Sequence, residues 1–318
     1  MSTRRLILLR LTVAGLSFLL ALGGLELLLR SHPVHDRFRE SGVTTHRLSP
    51  PGQPEFRSPL EDFGKEEGVF RIIAIGDSYT FGDGVYAEDA YPQRILARLR
   101  AQQPAPDIEV VPWARRGWNT DQELRSIRPH LDELDPDLLL IGFTLNDAEP
   151  SEVADRELLR KNILPRSPST APGRWLRERS VLFGSLWDSL ENIRLRRELA
   201  TYYRSLHGDG PGVAACRRAL KAFKRIARQR EIPLLVVIFP IFDSQLDHRY
   251  RYSDSHKAIL DRLEALNINA IDLLPYYQGL DARRLAVSPF TDPHPNELAH
   301  RIAADVILKH LKKKRLIP

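Results

Sequence analysis

The sequence contains very little sulfur: one cysteine, Cys216, and one methionine, the first residue, in 318 residues. A single cysteine excludes an intrachain disulfide framework and a cysteine-rich metal site. It does not assign a compartment, because an exported protein can fold without disulfides. Several histidines also lack the paired spacing of metal ligands, and we expect them to be surface or structural residues: His130, His248, His256 and His300. We therefore predict neither a metal nor a cofactor.

Nucleic-acid signatures are absent from the sequence. It shows no zinc-finger spacing, no basic leucine zipper and no aromatic RNA-binding motif. The formal net charge of +6 is compatible with nucleic acid, anionic lipid headgroups or an acidic polymer as a neighbour, but a solvated basic surface explains it as well. We predict no nucleic-acid partner, and the oligomeric state stays open. With 42% hydrophobic and 28% charged residues, the composition is that of a globular protein.

A long apolar run occupies the N-terminus, from Leu6 to Leu29, and its charge-free core extends from Leu11 to Leu25. A helix of roughly 20 apolar residues suffices to cross a bilayer. We predict an uncleaved membrane anchor over residues 1–30. A cleaved signal peptide is the alternative, since Ala21-Leu22-Gly23 has small residues at cleavage-like spacing. The apolar residues that continue beyond this tripeptide favour the anchor.

The charges around this run orient it only weakly, because Arg4 and Arg5 precede it while Arg30, Arg37 and Arg39 follow it. We expect the C-terminal bulk of the chain to be exported. Residues 31–68 are rich in proline and polar side chains without a sustained period, and they indicate a linker that lies partly on the following domain.

From residue 69 to residue 318, short apolar segments alternate with helical patterns. Continuous apolar strands between helices predict a mainly parallel, five-stranded sheet covered on both faces. The predicted strands are Phe70–Ile75, Ile108–Val111, Leu138–Phe143, Ile232–Phe239 and Ala270–Leu274. The predicted helices of this domain are Tyr91–Gln102, Asp121–Leu134, Ala215–Arg230, Ser255–Leu266 and Pro295–Leu311.

A helical insertion interrupts this alternation at about residues 148–212. Leu182, Leu186, Leu190 and Ile193 form one apolar stripe, with arginines close by. Two interpretations remain open: a cap over a functional site, or a helical pair packed on the edge of the sheet, which an apolar stripe at helical spacing usually indicates.

The segment with the clearest chemical pattern is Gly76-Asp77-Ser78, where the first buried strand ends. Ligands of parallel sheets bind beyond the carboxyl ends of the strands. A serine on a sharp strand-to-helix turn exposes its hydroxyl and lies at a helix N-terminus, where negative charge is favoured. Alone, this short string would be consistent with an ordinary turn.

Three further segments are predicted at the same edge of the sheet. Gly117 follows the second strand, and Asn146 follows the third, placing a backbone N–H and an amide donor there. Asp292-Pro293-His294 precedes the last helix and supplies a carboxylate and an imidazole. Ester hydrolysis requires a nucleophile, a base and donors for the developing oxyanion.

With these four blocks in order, the sequence resembles the SGNH/GDSL hydrolase family over about residues 70–311. The resemblance implies a flavodoxin-like three-layer α/β/α fold and a serine esterase or acyltransferase mechanism. It implies Ser78 as nucleophile, His294 as general base and Asp292 as the acid. The oxyanion hole would consist of the N–H groups of Ser78 and Gly117 with the side chain of Asn146.

One departure from the family pattern concerns the acid. The commonest pattern has it three residues before the histidine, where this chain has Thr291; Asp292 lies two before. If Asp292 did not reach the imidazole, the site would be a Ser–His dyad or would be oriented by a main-chain carbonyl.

Together, the resemblance and the anchor suggest a single-pass protein of the bacterial cytoplasmic membrane, with its catalytic domain on the periplasmic or extracellular side. The expected activity is cleavage of a small, acetyl-like acyl ester from a carbohydrate or cell-envelope substrate. Transfer of the acyl group to a polysaccharide hydroxyl, hydrolysis of a lipid ester, and non-catalytic polysaccharide binding are the alternatives.

Overall fold

The computed structural model describes residues 3–31, 56–57, 64–102, 104, 106–152, 166–208, 210–288 and 292–318. The strands are β1 (Phe56–Arg57), β2 (Phe70–Gly76), β3 (Ile108–Arg115), β4 (Leu138–Phe143), β5 (Leu234–Ile238), β6 (Asn269–Asp272), β7 (Ala286–Ser288) and β8 (Asp292–Pro295). The α-helices are α1 (Thr3–Ser31), α2 (Ser78–Phe81), α3 (Tyr91–Arg100), α4 (Thr120–Ile127), α5 (Leu131–Leu134), α6 (Ala171–Arg179), α7 (Val181–Leu206), α8 (Pro211–Gln229), α9 (Ser253–Ala265), α10 (Leu274–Tyr277) and α11 (Glu297–Lys313).

The chain forms two compact units. The first consists of residues 1–44 and 162–199, and the second of residues 45–161 and 200–318. Helix α1 and most of the helical insertion belong to the first unit, whereas the sheet belongs to the second. The predicted boundaries at residues 30 and 68 remain predictions.

The second unit is built on a sheet with strand order β1-β3-β2-β4-β5-β6. The five strands from β2 to β6 are parallel, which confirms the predicted mainly parallel α/β sheet. The short strand β1 pairs antiparallel with β3 and comes from the predicted linker. The rest of the linker up to residue 63 lies outside the described residues.

Apolar side chains on both faces explain why the central strands are continuous hydrophobic runs. All residues of β4 and β5 are buried, and Ile72 to Ile75 of β2 have no exposed surface. Because successive side chains of a strand point to opposite faces, both faces must be covered. Helix α3 packs against α11, and α4 packs against α8.

Several predicted element boundaries are corrected by the structure. Strand β3 continues four residues beyond Val111, to Arg115. The helix predicted over residues 121–134 is divided into α4, a 3₁₀ turn at Arg128–His130 and α5. Pro129 accounts for this division, since it has no N–H for an α-helical hydrogen bond.

The apolar stripe of the insertion is the largest departure from expectation. Leu186, Leu190 and Ile193 on α7 are 57%, 59% and 52% exposed. The side chains of this stripe are therefore not core residues, and both interpretations of the insertion remain predictions.

Candidate active site

Ser78 lies at the turn between β2 and α2. Asp77 is the N-cap of α2, and its carboxylate accepts a hydrogen bond of 2.9 Å from the N–H of Tyr79. A Cβ at Gly76 would lie 2.0 Å from Thr80 Oγ1 and 3.0 Å from the carbonyl oxygen of Gly142. Only glycine fits there, so this turn holds Ser78 at the carboxyl end of β2, where it is 8% exposed.

A chain of hydrogen bonds connects Ser78, His294 and Asp292. The Nε2 atom of His294 lies 2.9 Å from Ser78 Oγ, and its Nδ1 atom lies 2.6 Å from Asp292 Oδ1. The same carboxylate oxygen accepts the backbone N–H of His294 at 3.1 Å. Asp292 therefore reaches the imidazole despite the short spacing. The neighbouring Thr291 lies outside the described residues.

The contacts of His294 define its protonation pattern. Since a carboxylate only accepts hydrogen bonds, the neutral imidazole carries its proton on Nδ1, and Nε2 is left to accept from the Ser78 hydroxyl. Burial lowers the pKa of His294, but the hydrogen bond and charge of Asp292, together with Asp83 and Asp77, outweigh it and raise this pKa above its usual value. The arrangement thus combines a hydroxyl with an adjacent base that a carboxylate orients.

Asn146 contacts the residue before Ser78, and Gly117 lies in the turn after β3. Gly117 has a φ of +71°, and a Cβ added there would meet no atom within 4 Å, so the space next to it is open. The Nδ2 atom of Asn146 donates to Asp77 Oδ2 at 3.0 Å and lies 3.5 Å from the carbonyl oxygen of Trp118. The Ser78 N–H is in the first turn of a helix, where no helical carbonyl accepts it.

Asp77 connects the serine turn to the loop after β4. Besides the N–H of Tyr79, its carboxylate accepts hydrogen bonds from Thr144 Oγ1 at 2.9 Å and from Asn146. Thr144 Oγ1 also contacts Asn146 Oδ1. Burial raises the pKa of Asp77, although these donors act in the opposite direction. In the sequence, Asp77 is indicated only as part of the Gly76-Asp77-Ser78 turn.

Two more buried acids, Asp147 and Glu123, lie behind the site and were not found by sequence reasoning. Asp147 accepts hydrogen bonds from the N–H of Thr144 at 2.6 Å and from Thr120 Oγ1 at 2.8 Å. Glu123 has no exposed surface, and neither of its carboxyl oxygens has a hydrogen-bond partner in the described part of the chain. Burial raises the pKa of both carboxyl groups well above the usual range, and the negative charge of a neighbouring carboxylate raises each pKa further.

The described residues contain no group of three or more His, Cys, Asp or Glu side chains arranged to hold a metal ion. A depression of about 600 Å³ lies at the other end of the sheet, lined by residues such as Asp107 and Asp137, which precede β3 and β4. The seven residues of β2, about 23 Å at about 3.3 Å per residue, separate this depression from Ser78. It is therefore not part of the candidate site.

A mainly parallel α/β sheet with serine, histidine and aspartate joined at its carboxyl edge has the architecture of an esterase. Residues 74–302 match the GDSL-like Lipase/Acylhydrolase family, and the chain belongs to this family. It is accordingly an enzyme of the carboxylic ester hydrolase class. No curated protein shows significant sequence similarity to the chain.

Solved structures of esterases resemble the chain at low identity. The acetyl xylan esterase AlAXEase is 14% identical, with 76% of this chain and 100% of that one covered and a TM-score of 0.48. The esterase EstA from Pseudoalteromonas sp., inhibited by monoethylphosphonate, is 15% identical, with 77% and 97% covered and a TM-score of 0.43. A catalytic mutant of Axe2, an acetylxylan esterase from Geobacillus stearothermophilus, is 16% identical, with 78% and 96% covered and a TM-score of 0.44. At such identities the resemblance says nothing about the substrate of this chain.

Proposed function

We propose that this protein is a membrane-anchored serine hydrolase that cleaves a small, acetyl-like acyl ester from a carbohydrate or cell-envelope substrate. The observation that carries the proposal is the hydrogen-bond chain from Ser78 Oγ through His294 to Asp292, with distances of 2.9 Å and 2.6 Å. The hydroxyl, the base and the orienting carboxylate are already in hydrogen-bond contact, so they can act together without a rearrangement of these three side chains.

In the proposed acylation step, His294 Nε2 takes the proton of Ser78 as Oγ attacks the ester carbonyl carbon. The imidazolium, stabilised by Asp292, then gives this proton to the leaving alcohol, and an acyl-serine remains. Water repeats the sequence: His294 takes a proton from it, its oxygen attacks the acyl group, and the proton returns to Ser78 Oγ. The products are the free acid and the original enzyme.

The tetrahedral intermediates of both steps carry an oxyanion. The N–H groups of Ser78 and Gly117 and one N–H of the Asn146 amide are its proposed donors. The Asn146 amide donates one hydrogen to Asp77 Oδ2 at 3.0 Å, which orients the group, and the other to the carbonyl oxygen of Trp118 at 3.5 Å. The oxyanion would take the hydrogen of this longer contact. Removing one such donor typically costs about 3 kcal/mol in the barrier.

An ester on a large molecule suits the exposure of this site. The side chain of His294 remains 26% exposed, so the reacting groups lie close to the surface. We assign the ester to a carbohydrate or envelope polymer because α1 would hold the enzyme beside such material. Transfer of the acyl group to a sugar hydroxyl uses the same acyl-serine and differs only in the acceptor.

The anchor is part of the proposal. Residues Arg10–Ser31 of α1 have a mean hydropathy of 1.9 over the best 18-residue window, and none of that window is buried inside the protein. Lipid would cover this surface in a single-pass arrangement. We place the anchor at residues 1–30, the linker at 31–68 and the hydrolase domain at 69–318, on the outer side of a bacterial cytoplasmic membrane.

A fluorophosphonate probe tests the nucleophile, because it reacts covalently with activated serines. Wild-type protein is expected to be labelled, and Ser78→Ala is expected to be silent. Ser189→Ala is the matched control, since Ser189 is an exposed serine outside the site, and it should be labelled like wild type. Folded wild-type protein that takes up no label would reject the enzymatic proposal and favour a polysaccharide-binding role.

A further inference from the structure

Glu26 near the end of α1 caps another helix of the same unit. Its Oε1 atom accepts the N–H of Val181, and its Oε2 atom accepts the N–H of Leu182, both at 2.8 Å. Ser180 Oγ donates to the same carboxylate at 3.0 Å. Arg30, one turn further along α1, pairs with Glu26 at 2.8 Å and donates to the carbonyl oxygen of Arg179. The start of α7 is thereby attached to the end of α1.

These contacts determine the depth at which α7 begins if α1 crosses a membrane. Glu26 lies five residues before Ser31, the end of the apolar span, which corresponds to about 8 Å along the helix axis. A carboxylate at this level belongs to the interfacial region, where charged groups find partners. The N-terminus of α7 therefore lies at the boundary between hydrocarbon and headgroups.

Large apolar side chains of this region face outward. Leu186, Leu190 and Ile193 lie at positions i, i+4 and i+7 of α7 and are all more than half exposed. On α6, Trp175 is 54% exposed, and Leu176 is 38% exposed. We call α6 together with residues 181–199 of α7 the interfacial hairpin.

The charge around these side chains is predominantly positive. Residues 166–199 contain seven arginines and four acidic residues. The guanidinium of Arg179 lies 5.5 Å from the centre of the Trp175 ring. Exposed tryptophan and leucine with arginine close by are typical of segments that lie in a membrane interface. Arginine side chains extend toward headgroup phosphates while their apolar neighbours enter the acyl boundary.

We propose that the interfacial hairpin is a second membrane contact, with Leu186, Leu190 and Ile193 inserted into the headgroup boundary of the bilayer that α1 crosses. The partner is the lipid surface itself. Attachment through Glu26 supplies the depth, and the stripe supplies apolar area. Two arginines pair with acidic residues of the hairpin, Arg177 with Asp188 and Arg194 with Glu191, so the attraction to anionic headgroups comes from the excess of arginines over acidic residues. This inference rests on the membrane anchor proposed above and does not depend on the chemistry at Ser78.

Single-cysteine labelling of the full chain tests this contact, because the native Cys216 is 1% exposed and should not react in the folded protein. The protein is reconstituted into vesicles of phosphatidylethanolamine and phosphatidylglycerol at a ratio of about three to one. Leu190→Cys and Ile193→Cys carry an environment-sensitive fluorophore on the stripe. Ser185→Cys and Asn192→Cys, at exposed positions off the stripe, are the matched controls.

We expect a lipid with a nitroxide near the headgroup to quench the stripe labels several-fold more strongly than the control labels. Iodide in solution should quench the stripe labels several-fold less than the control labels. Equal iodide access at stripe and control positions would overturn the proposal. A second result would also overturn it: stripe labels that are shielded from iodide but not quenched by the nitroxide lipid, together with disulfide-linked dimers of unlabelled Leu190→Cys. In that case a second copy of the protein, and not lipid, would cover the stripe.

Flotation of the vesicles before the fluorescence measurement separates this inference from the anchor. Protein that does not float with lipid would contradict the anchor, and with it the inference. Protein that floats but has a solvated stripe would contradict the inference alone. Circular dichroism of each labelled variant shows that its helices are retained.

Discussion

The spacing of Asp292 and His294 shows how one short loop supplies two members of the candidate site. The Asp292 carboxylate accepts from both the backbone N–H and the ring Nδ1 of a residue only two positions away. It thereby orients the imidazole locally, while the contact with Ser78 spans 216 positions of the chain. The acid is thus local, and the nucleophile is brought to it by the fold.

Replacing Asp292 with asparagine tests the orienting carboxylate. We expect kcat/KM for an aryl ester to fall by about 10² to 10⁴-fold, because the imidazolium loses its counter-charge. In wild type the raised pKa of His294 places the acidic limb of the pH profile above the usual pKa of histidine. The limb should move to lower pH in Asp292→Asn, since the carboxylate that favours the charged ring is gone. Asp261→Asn, a substitution on the surface, is the control. An unchanged pH profile of kcat/KM in Asp292→Asn would show that another group orients the imidazole.

Substitution of Glu123 tests whether the buried acids behind the site have raised pKa values. Its pKa is raised by burial and by Asp147, so the folded protein binds this proton more tightly than the unfolded chain. The stabilisation that this group contributes is therefore fully present below the pKa of the unfolded chain. It is lost as pH rises toward the pKa of the folded protein, by at most about 1.4 kcal/mol per pH unit.

The expected result for Glu123→Gln is a smaller loss of unfolding free energy between pH 5 and pH 8 than in wild type. Urea unfolding at the two pH values measures it. Glu264→Gln, at an exposed position, should retain the wild-type pH dependence. A steeper loss in Glu123→Gln than in wild type would contradict the raised pKa.

At the scale of elements, the turn from β2 to α2 depends on packing rather than on flexibility. Gly76 is surrounded by Thr80 and by the backbone of Gly142, whereas Gly117 has a left-handed φ and open space beside it. Two glycines at the same edge of the sheet thus serve different purposes. The first permits close approach, and the second permits a backbone conformation.

Alanine substitutions separate these two purposes. Gly117→Ala should cost about 1–2 kcal/mol of unfolding free energy, the usual penalty of a left-handed conformation for a residue with a Cβ. Gly76→Ala should cost more, because its Cβ would lie 2.0 Å from Thr80 Oγ1 and the turn has to shift. Urea midpoints of the two variants provide the comparison, and a smaller effect at Gly76 would show that the turn adapts easily.

At the scale of the whole molecule, the groups of the candidate site and the apolar helix belong to different units. Ser78, His294 and Asp292 belong to the sheet-containing unit, whereas α1 and the interfacial hairpin belong to the other. Catalysis and membrane attachment are therefore expected to respond to different substitutions.

Leu20→Arg tests the anchor. Leu20 is 76% exposed near the middle of the apolar span, and an arginine at the centre of a spanning helix costs about 3 kcal/mol of insertion free energy. We expect less of this variant in the membrane fraction after alkaline carbonate extraction, with Leu20→Ile unchanged. An N-terminal tag retained on the wild-type membrane protein would distinguish an anchor from a cleaved signal. Complete release of wild-type protein by carbonate would contradict the anchor.

The sequence alone determined the parallel sheet and the edge at which the four motif blocks meet. Apolar runs and their carboxyl ends are local features, and parallel strands bring such ends to one edge. These patterns, together with the resemblance to the SGNH/GDSL family, gave the predicted site residues Ser78, Gly117, Asn146, Asp292 and His294. The tertiary structure alone decided that Asp292 reaches His294, that Asp77 holds Asn146, and that Glu123 lies buried beside Asp147. It also showed the stripe on α7 to be exposed. Side-chain contacts and burial depend on how distant segments pack, and the periodicity of a helix reports that it has an apolar face but not what covers that face.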